Sequence, residues 1–195
     1  MANVYIFVGR SGSGKGTQGA LLDAAIRTLS GNDSLLYLET GRLVRDFSKG
    51  DTESSLMSKA INDVGGLQPE FLIISLWSNF LIKNFKKNMH VITDGTPRKL
   101  LEAKVLDSAL DFYNFQHKFV IFLNASNDEV TKRLLARDRA DDTLEGIHSR
   151  LAWYETEVAP VVDFYRTNSK YIFCDINADQ SAEKVQEDLR KAVGL

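Results

Sequence analysis

The 195-residue sequence contains one cysteine, Cys174, and three prolines. A single thiol excludes an internal disulfide and leaves no cysteine set for a structural zinc site. Cys174 closes the apolar run Tyr171-Ile172-Phe173-Cys174, where it reads as a small packing residue. No apolar run approaches the length of a membrane span. The longest, Phe71 to Ile82, is broken by Ser75, Ser78 and Asn79. Val4–Val8 is too short for the core of a secretory signal and runs straight into glycines. An excess of positive charge is also missing. The net charge of −2 argues against a nucleic-acid binder that relies on overall charge, while leaving room for a local basic pocket. His90, His117 and His148 share no ligand spacing and read as strand-edge or surface groups. No repeat, low-complexity tract or Pro/Gly linker divides the chain. The expectation is one globular domain over residues 1–195, a cytoplasmic monomer with no membrane or nucleic-acid partner.

What is present is a regular alternation. Val4–Val8, Leu35–Leu38, His90–Thr93, Phe119–Leu123 and Tyr171–Cys174 are short and rich in Val, Ile, Leu, Phe and Tyr. Most lack the polar alternation of a strand with one wet face, so they read as buried strands. Long helical patterns separate them, which predicts an α/β fold of three layers: a five-stranded parallel sheet flanked by helices. Ser126 with Glu129, and Asp142 with Glu145, have capping-box spacing. Pro69 suits the first turn of a helix over residues 70–86. Pro160 should interrupt the helical run between Thr143 and Tyr165. Trp77, Phe80 and Leu81 sit at core spacing. Trp153 and Tyr154 read as core residues, with a nucleotide-pocket wall as the alternative.

The densest signal is Gly9-Arg10-Ser11-Gly12-Ser13-Gly14-Lys15-Gly16-Thr17-Gln18, placed directly after the first strand. Such a turn points successive backbone N–H groups into one concavity, and the following helix adds the positive end of its dipole. Lys15 supplies a full charge to outer phosphates. This is a phosphate-binding P-loop with one departure. The residue after the lysine is normally Ser or Thr, whose hydroxyl binds Mg²⁺. Here it is Gly16, and the hydroxyl comes one residue later, at Thr17.

Gly14-Lys15-Gly16-Thr17-Gln18 resembles the loop of the adenylate kinase family, and other segments follow in that family's order. Thr40-Gly41-Arg42-Leu43-Val44-Arg45 resembles its TG…R motif, in which the threonine lies by the acceptor base and the arginine binds the acceptor phosphate. Gly65-Gly66-Leu67-Gln68-Pro69 resembles the stretch whose backbone lines the base pocket. Asp94-Gly95-Thr96-Pro97-Arg98 resembles DG(F/Y)PR, with Thr96 in place of the aromatic. The resemblance gives Asp94 the role of ordering Mg²⁺ through water and Arg98 that of gripping phosphate. Four residues beyond the arginine the family has a glutamine that reads adenine; this chain has Glu102. A carboxylate only accepts hydrogen bonds, so it matches the 6-amino group of adenine but not N1, and suits the donor edge of guanine better. A simple contact between Arg98 and Glu102 is the plainer alternative.

A second cluster holds Arg133, Arg137, Arg139 and Arg150, with Asp141 and Asp142 among them. Arg133 and Arg137 share a helix face. Phosphoryl transfer spreads charge over the migrating group, so fixed cations must surround it. By resemblance, Arg133 covers the ATP base, Arg137, Arg139 and Arg150 clamp phosphates, and the backbone near Ala178 borders the ATP adenine. Only Asp138 separates the two lid arginines, which implies a short-lid form with a minimal lid near 137–142 and an acceptor-binding helical insertion near 40–70. The implied activity is an ATP- and Mg²⁺-dependent nucleoside monophosphate kinase. AMP is the expected acceptor. The alternatives are GMP, UMP or CMP, or a nucleotide-binding regulator with little turnover. The implied site has three parts. Lys15, Arg98, Arg137, Arg139 and Arg150 act on the transferring group. Gly12, Ser13, Gly14, Lys15, Gly16, Thr17, Arg133 and Ala178 hold ATP. Thr40, Gly41, Arg45, Leu67, Gln68, Gly95, Arg98 and Glu102 hold the acceptor.

Overall fold

The computed structural model describes residues 2–137 and 143–195. Five strands form one parallel sheet: β1 (Asn3–Val8), β2 (Leu35–Glu39), β3 (His90–Asp94), β4 (His117–Asn124) and β5 (Ile172–Asn177), in the order β2-β3-β1-β4-β5. All five expected strands are present and all pair in parallel. β1 ends with its apolar run at Val8, and the other four end one to three residues later than theirs, because backbone pairing continues into the polar residues Glu39, Asp94, Asn124 and Asn177.

The absence of alternation in β1 has a simple cause. Val4, Ile6 and Val8 enter one core and Tyr5 and Phe7 the other, so both faces of the strand are dry. On the first face pack α4 (Glu70–Asn84), α5 (Leu100–Tyr113) and α8 (Ala159–Arg166), through Trp77 and Leu81, Leu106 and Leu110, and Val161 and Tyr165. On the second lie α1 (Lys15–Ser30), α6 (Asn127–Ala136) and α9 (Ala182–Val193), through Leu22 and Ile26, Val130, and Val185 and Leu189. Side chains buried this completely each contribute about 1.5–3 kcal/mol. The result is the three-layer arrangement that the pattern predicts.

Two helices, α2 (Thr40–Phe47) and α3 (Glu53–Asp63), stand between β2 and α4. Ser126 caps α6 by accepting from Glu129 N, as its spacing predicts. At the start of α7 (Leu144–Trp153) the N-cap is Thr143, which accepts the Gly146 N–H; Asp142 lies outside the described residues. Pro69 is the N-cap of α4, and that helix stops at Asn84, two residues short of the predicted end. Pro160 has no N–H to give the carbonyl four residues back. The chain widens there into a π-helical turn over Tyr154–Val158, where Ala159 N bonds Tyr154 O, before α8 resumes. Among the described residues no helix is long and apolar enough to cross a membrane.

Candidate active site

Strand order changes direction at β1, and the loops at the carboxyl ends of the strands surround the crevice where open α/β sheets take ligands. Two adjoining cavities lie there, of about 850 and 550 Å³. Each has the volume of a small-molecule site.

The larger cavity covers the glycine loop and is lined by Gly12, Gly14, Lys15, Gly16 and Thr17. Ser13 is buried beneath the loop. Gly12 has φ +84°, and a Cβ there would stand 2.8 Å from Leu134 Cγ and 2.9 Å from Val130 O. The missing side chain lets α6 pack directly on the loop, and α6 brings Arg133 and Arg137 to the cavity. Lys15 Nζ donates to Gly9 O (2.8 Å) and Arg10 O (2.6 Å). Burial pulls its pKa down to about 8; Asp94 opposes that shift, while Arg98 and Arg137 reinforce it. Asp94, Arg98 and Arg137 thus all act electrostatically on Lys15.

The Gly16 departure has a structural counterpart. A Cβ on Gly16 would meet Asp94 Oδ2 at 3.4 Å. The carboxylate of Asp94 thus lies in contact with the point where a serine or threonine side chain would start. Burial raises the Asp94 pKa, while Lys15 and Arg98 lower it, Glu39 raises it and the hydrogen bond from Tyr37 OH (3.4 Å) lowers it. Among the described residues no group of three or more His, Cys, Asp and Glu is placed to hold a metal alone. One carboxylate facing a phosphate loop nevertheless fits Mg²⁺, which keeps its waters and binds through one or two carboxylates plus phosphates.

The smaller cavity lies between α2, α3 and the start of α5. It is lined by Thr40, Gly41, Arg45, Leu67, Gln68, Gly95, Arg98, Glu102 and Arg150, so the expected acceptor residues come together. Glu102 is buried, and its Oε2 accepts from Thr96 Oγ1 (2.9 Å) and Arg98 N (3.0 Å). The alternative contact between Arg98 and Glu102 is thus present as a backbone bond and not as a pair on one helix face, since α5 begins only at Leu100. Burial raises the Glu102 pKa against these two bonds. Gln68 is held by Nε2 bonds to Ser58 O (2.9 Å) and Asn62 Oδ1 (2.8 Å), which tie the loop after α3 to that helix.

The two cavities share a wall, and Arg45, Arg98 and Arg137 line both. Trp153 also belongs to this wall, with Nε1 donating to Gly65 O (3.2 Å) and Arg98 lying 5.6 Å over its ring. Its assignment to the core is thus corrected, while Tyr154 is buried as expected. Arg150 is 5% exposed on the acceptor side. Arg133 lines the larger cavity and donates to Ala178 O (2.8 Å), joining two of the expected ATP-side groups, although Ala178 itself does not line the cavity. Arg139, Asp141 and Asp142 lie outside the described residues.

Sequence reasoning missed Glu39, Tyr37 and Arg10. Glu39 is paired in register with Asp94 at the carboxyl ends of β2 and β3. That topological position was the available signal. Arg10 stacks 4.1 Å over Tyr154 and pairs with Glu155 (2.8 Å), linking the loop to the π-helical turn; only contacts distant in sequence disclose it.

The adenylate kinase family model matches residues 7–170. Adenylate kinase 1 of Nostoc sp. is 33% identical over 189 residues, covering 97% of each chain. The adenylate kinase of Parabacteroides distasonis is 36% identical over 176 residues, 88% of each. That of Prochlorococcus marinus (strain MIT 9211) is 31% identical over 195 residues, covering 100% of this chain and 99% of its own. The match runs from β1 to the residues just before β5 and takes in the glycine loop, both cavities and the arginine wall: the chain belongs to the adenylate kinase family.

Proposed function

We propose that the chain catalyses reversible transfer of the γ-phosphoryl group of ATP to AMP, giving two ADP. The observation that carries this is the common wall: Arg45, Arg98 and Arg137 line both nucleotide-sized cavities at once. Two nucleotides with their phosphates turned toward that wall would meet there, and among the described residues these are the cations that the two cavities share.

ATP takes the larger cavity. Its phosphates lie along the backbone of Gly12, Ser13, Gly14, Gly16 and Thr17, with Lys15 on the outer oxygens and Arg133 and the Ala178 backbone toward the adenine. AMP takes the smaller cavity, its base among Thr40, Gly41, Leu67, Gln68, Gly95 and Glu102 and its phosphate on Arg45 and Arg98. Guanidinium forks suit both ends of the reaction because they bind phosphate oxygens in pairs. An ionised oxygen of AMP attacks the γ-phosphorus, the bond from that phosphorus to the bridging oxygen breaks, and ADP leaves. The attacking oxygen carries no proton to remove, so no side-chain base is required. Lys15, Arg98, Arg137, Arg139 and Arg150 offset the charge that spreads over the migrating group. When bound, Mg²⁺ withdraws charge from the phosphate oxygens, and Asp94 would hold it through its waters. The acceptor helices α2 and α3 close over AMP with a short lid at 137–142, which excludes water from the transfer. Both cavities are lined by one chain, consistent with a monomer, and free nucleotides as substrates fit a cytoplasmic enzyme.

Incubation of MgATP with a panel of AMP, GMP, UMP and CMP, with ADP formation as the readout, tests the assignment. AMP is expected to be the best acceptor. Preferential turnover of GMP would overturn it and make Glu102 the reason.

A further inference from the structure

Arg45 already has an anionic partner. Its Nη2 lies 2.7 Å from Oε1 of Glu39, the last residue of β2. The guanidinium folds back across the first turn of α2: a Cβ on Gly41 would stand 3.0 Å from Arg45 Nη1. Arg45 lines both cavities, whereas Glu39 lines only the larger one. The pair therefore draws the cation toward the ATP side, away from the cavity assigned to AMP.

We propose that Glu39 is a positioning residue that holds Arg45 on the ATP side of the wall until the acceptor phosphate displaces it. This rests on Arg45 being a ligand of that phosphate. The side chains of Arg45 and Glu39 are 52% and 40% exposed, so solvent screens the pair and the exchange is easy. Ion pairs of this kind are worth a factor of about 1.5–5 in an equilibrium constant. A phosphate with up to two negative charges and a bidentate geometry is the stronger partner. Glu39 occupies the N-cap position of α2, but its side chain makes no capping hydrogen bond, so helix capping does not account for its orientation. Competition by Glu39 lowers the affinity for AMP.

The test is titration calorimetry of AMP, without ATP, on the full chain and on Glu39→Gln. The dissociation constant for AMP should fall about two- to fivefold in the variant, by less at high salt, where the pair is already screened. In an Arg45→Ala background the same Glu39→Gln change should have no effect on AMP. Weaker or unchanged AMP binding in Glu39→Gln, or the same gain in the Arg45→Ala background, would overturn the proposal and leave Glu39 a structural acid at the start of α2. Unchanged AMP binding in Arg45→Ala alone would instead remove the assignment of Arg45, and the proposal with it. Glu39→Asp, one methylene shorter, should shift AMP binding in the same direction and serves if the glutamine variant folds poorly.

Discussion

Thr96 donates to Glu102 across 2.9 Å; both side chains are buried, and Glu102 lines the acceptor cavity. These are the two positions at which the chain leaves the family's DG(F/Y)PR…Q pattern, and in the fold they are direct partners. The hydroxyl of Thr96 supplies one donor that a buried carboxylate needs, and Arg98 N supplies another. A phenylalanine at 96 would leave Glu102 with the backbone donor alone.

Glu102→Gln tests what the carboxylate does for the base. A glutamine can accept the Thr96 and Arg98 bonds through its oxygen and offer an N–H to the cavity, which adenine N1 can accept. One hydrogen bond of that kind contributes about 0.5–1.5 kcal/mol. The KM for AMP should therefore fall roughly two- to tenfold, with little gain for GMP. An increase in KM for AMP would show that adenine depends on the carboxylate as it stands.

Lys15 sets the alkaline limit. In the free enzyme its ammonium is held down to about 8, chiefly by burial. Below that pH the side chain is charged and ready for phosphate; above it the proton is lost. Bound phosphates favour the charged form and raise its pKa again, so binding above pH 8 must take up a proton. The KM for MgATP should be level between pH 6.5 and 7.5 and climb toward tenfold per unit above about pH 8, with kcat much less affected. Identical alkaline profiles for kcat and kcat/KM would contradict this placement of the lysine.

Gly12 is where the loop meets α6. Gly12→Ala combines a strained φ of +84° with a Cβ that would press on Leu134 and the Val130 carbonyl. The strain and overpacking should cost about 1–3 kcal/mol of stability, read as a lower urea midpoint. Moving α6 also moves Arg133 and Arg137, so the KM for MgATP should rise even at temperatures where the variant is folded.

The sheet was legible because both faces of every central strand are dry and the apolar runs are uninterrupted. The glycine loop was legible because its chemistry is local: the turn, the lysine and the helix start are consecutive. Arg98, Arg45 and Glu102 could be placed only through resemblance, since their meeting depends on how α2 and α5 leave neighbouring strands. Glu39 and Trp153 escaped for related reasons. A lone acid before Thr40-Gly41 looks like an ordinary strand end until β3 sets Asp94 beside it. Trp153 looks like core packing until the π-helical turn made by Pro160 ends α7 against the cavity wall. The cap at Thr143 shows the ordinary limit of spacing arguments, because a hydroxyl one residue later serves as well as the carboxylate.

The most direct test of the common wall is calorimetry with a bisubstrate ligand, two adenosines joined by a chain of five phosphates, on the full chain and on Arg98→Ala. One molecule should bind per chain and displace both ATP and AMP, and Arg98→Ala should bind it far more weakly while losing about 10²–10³-fold in kcat and staying folded. Two molecules per chain, or competition with only one of the two nucleotides, would mean that the cavities do not share a transferring phosphate.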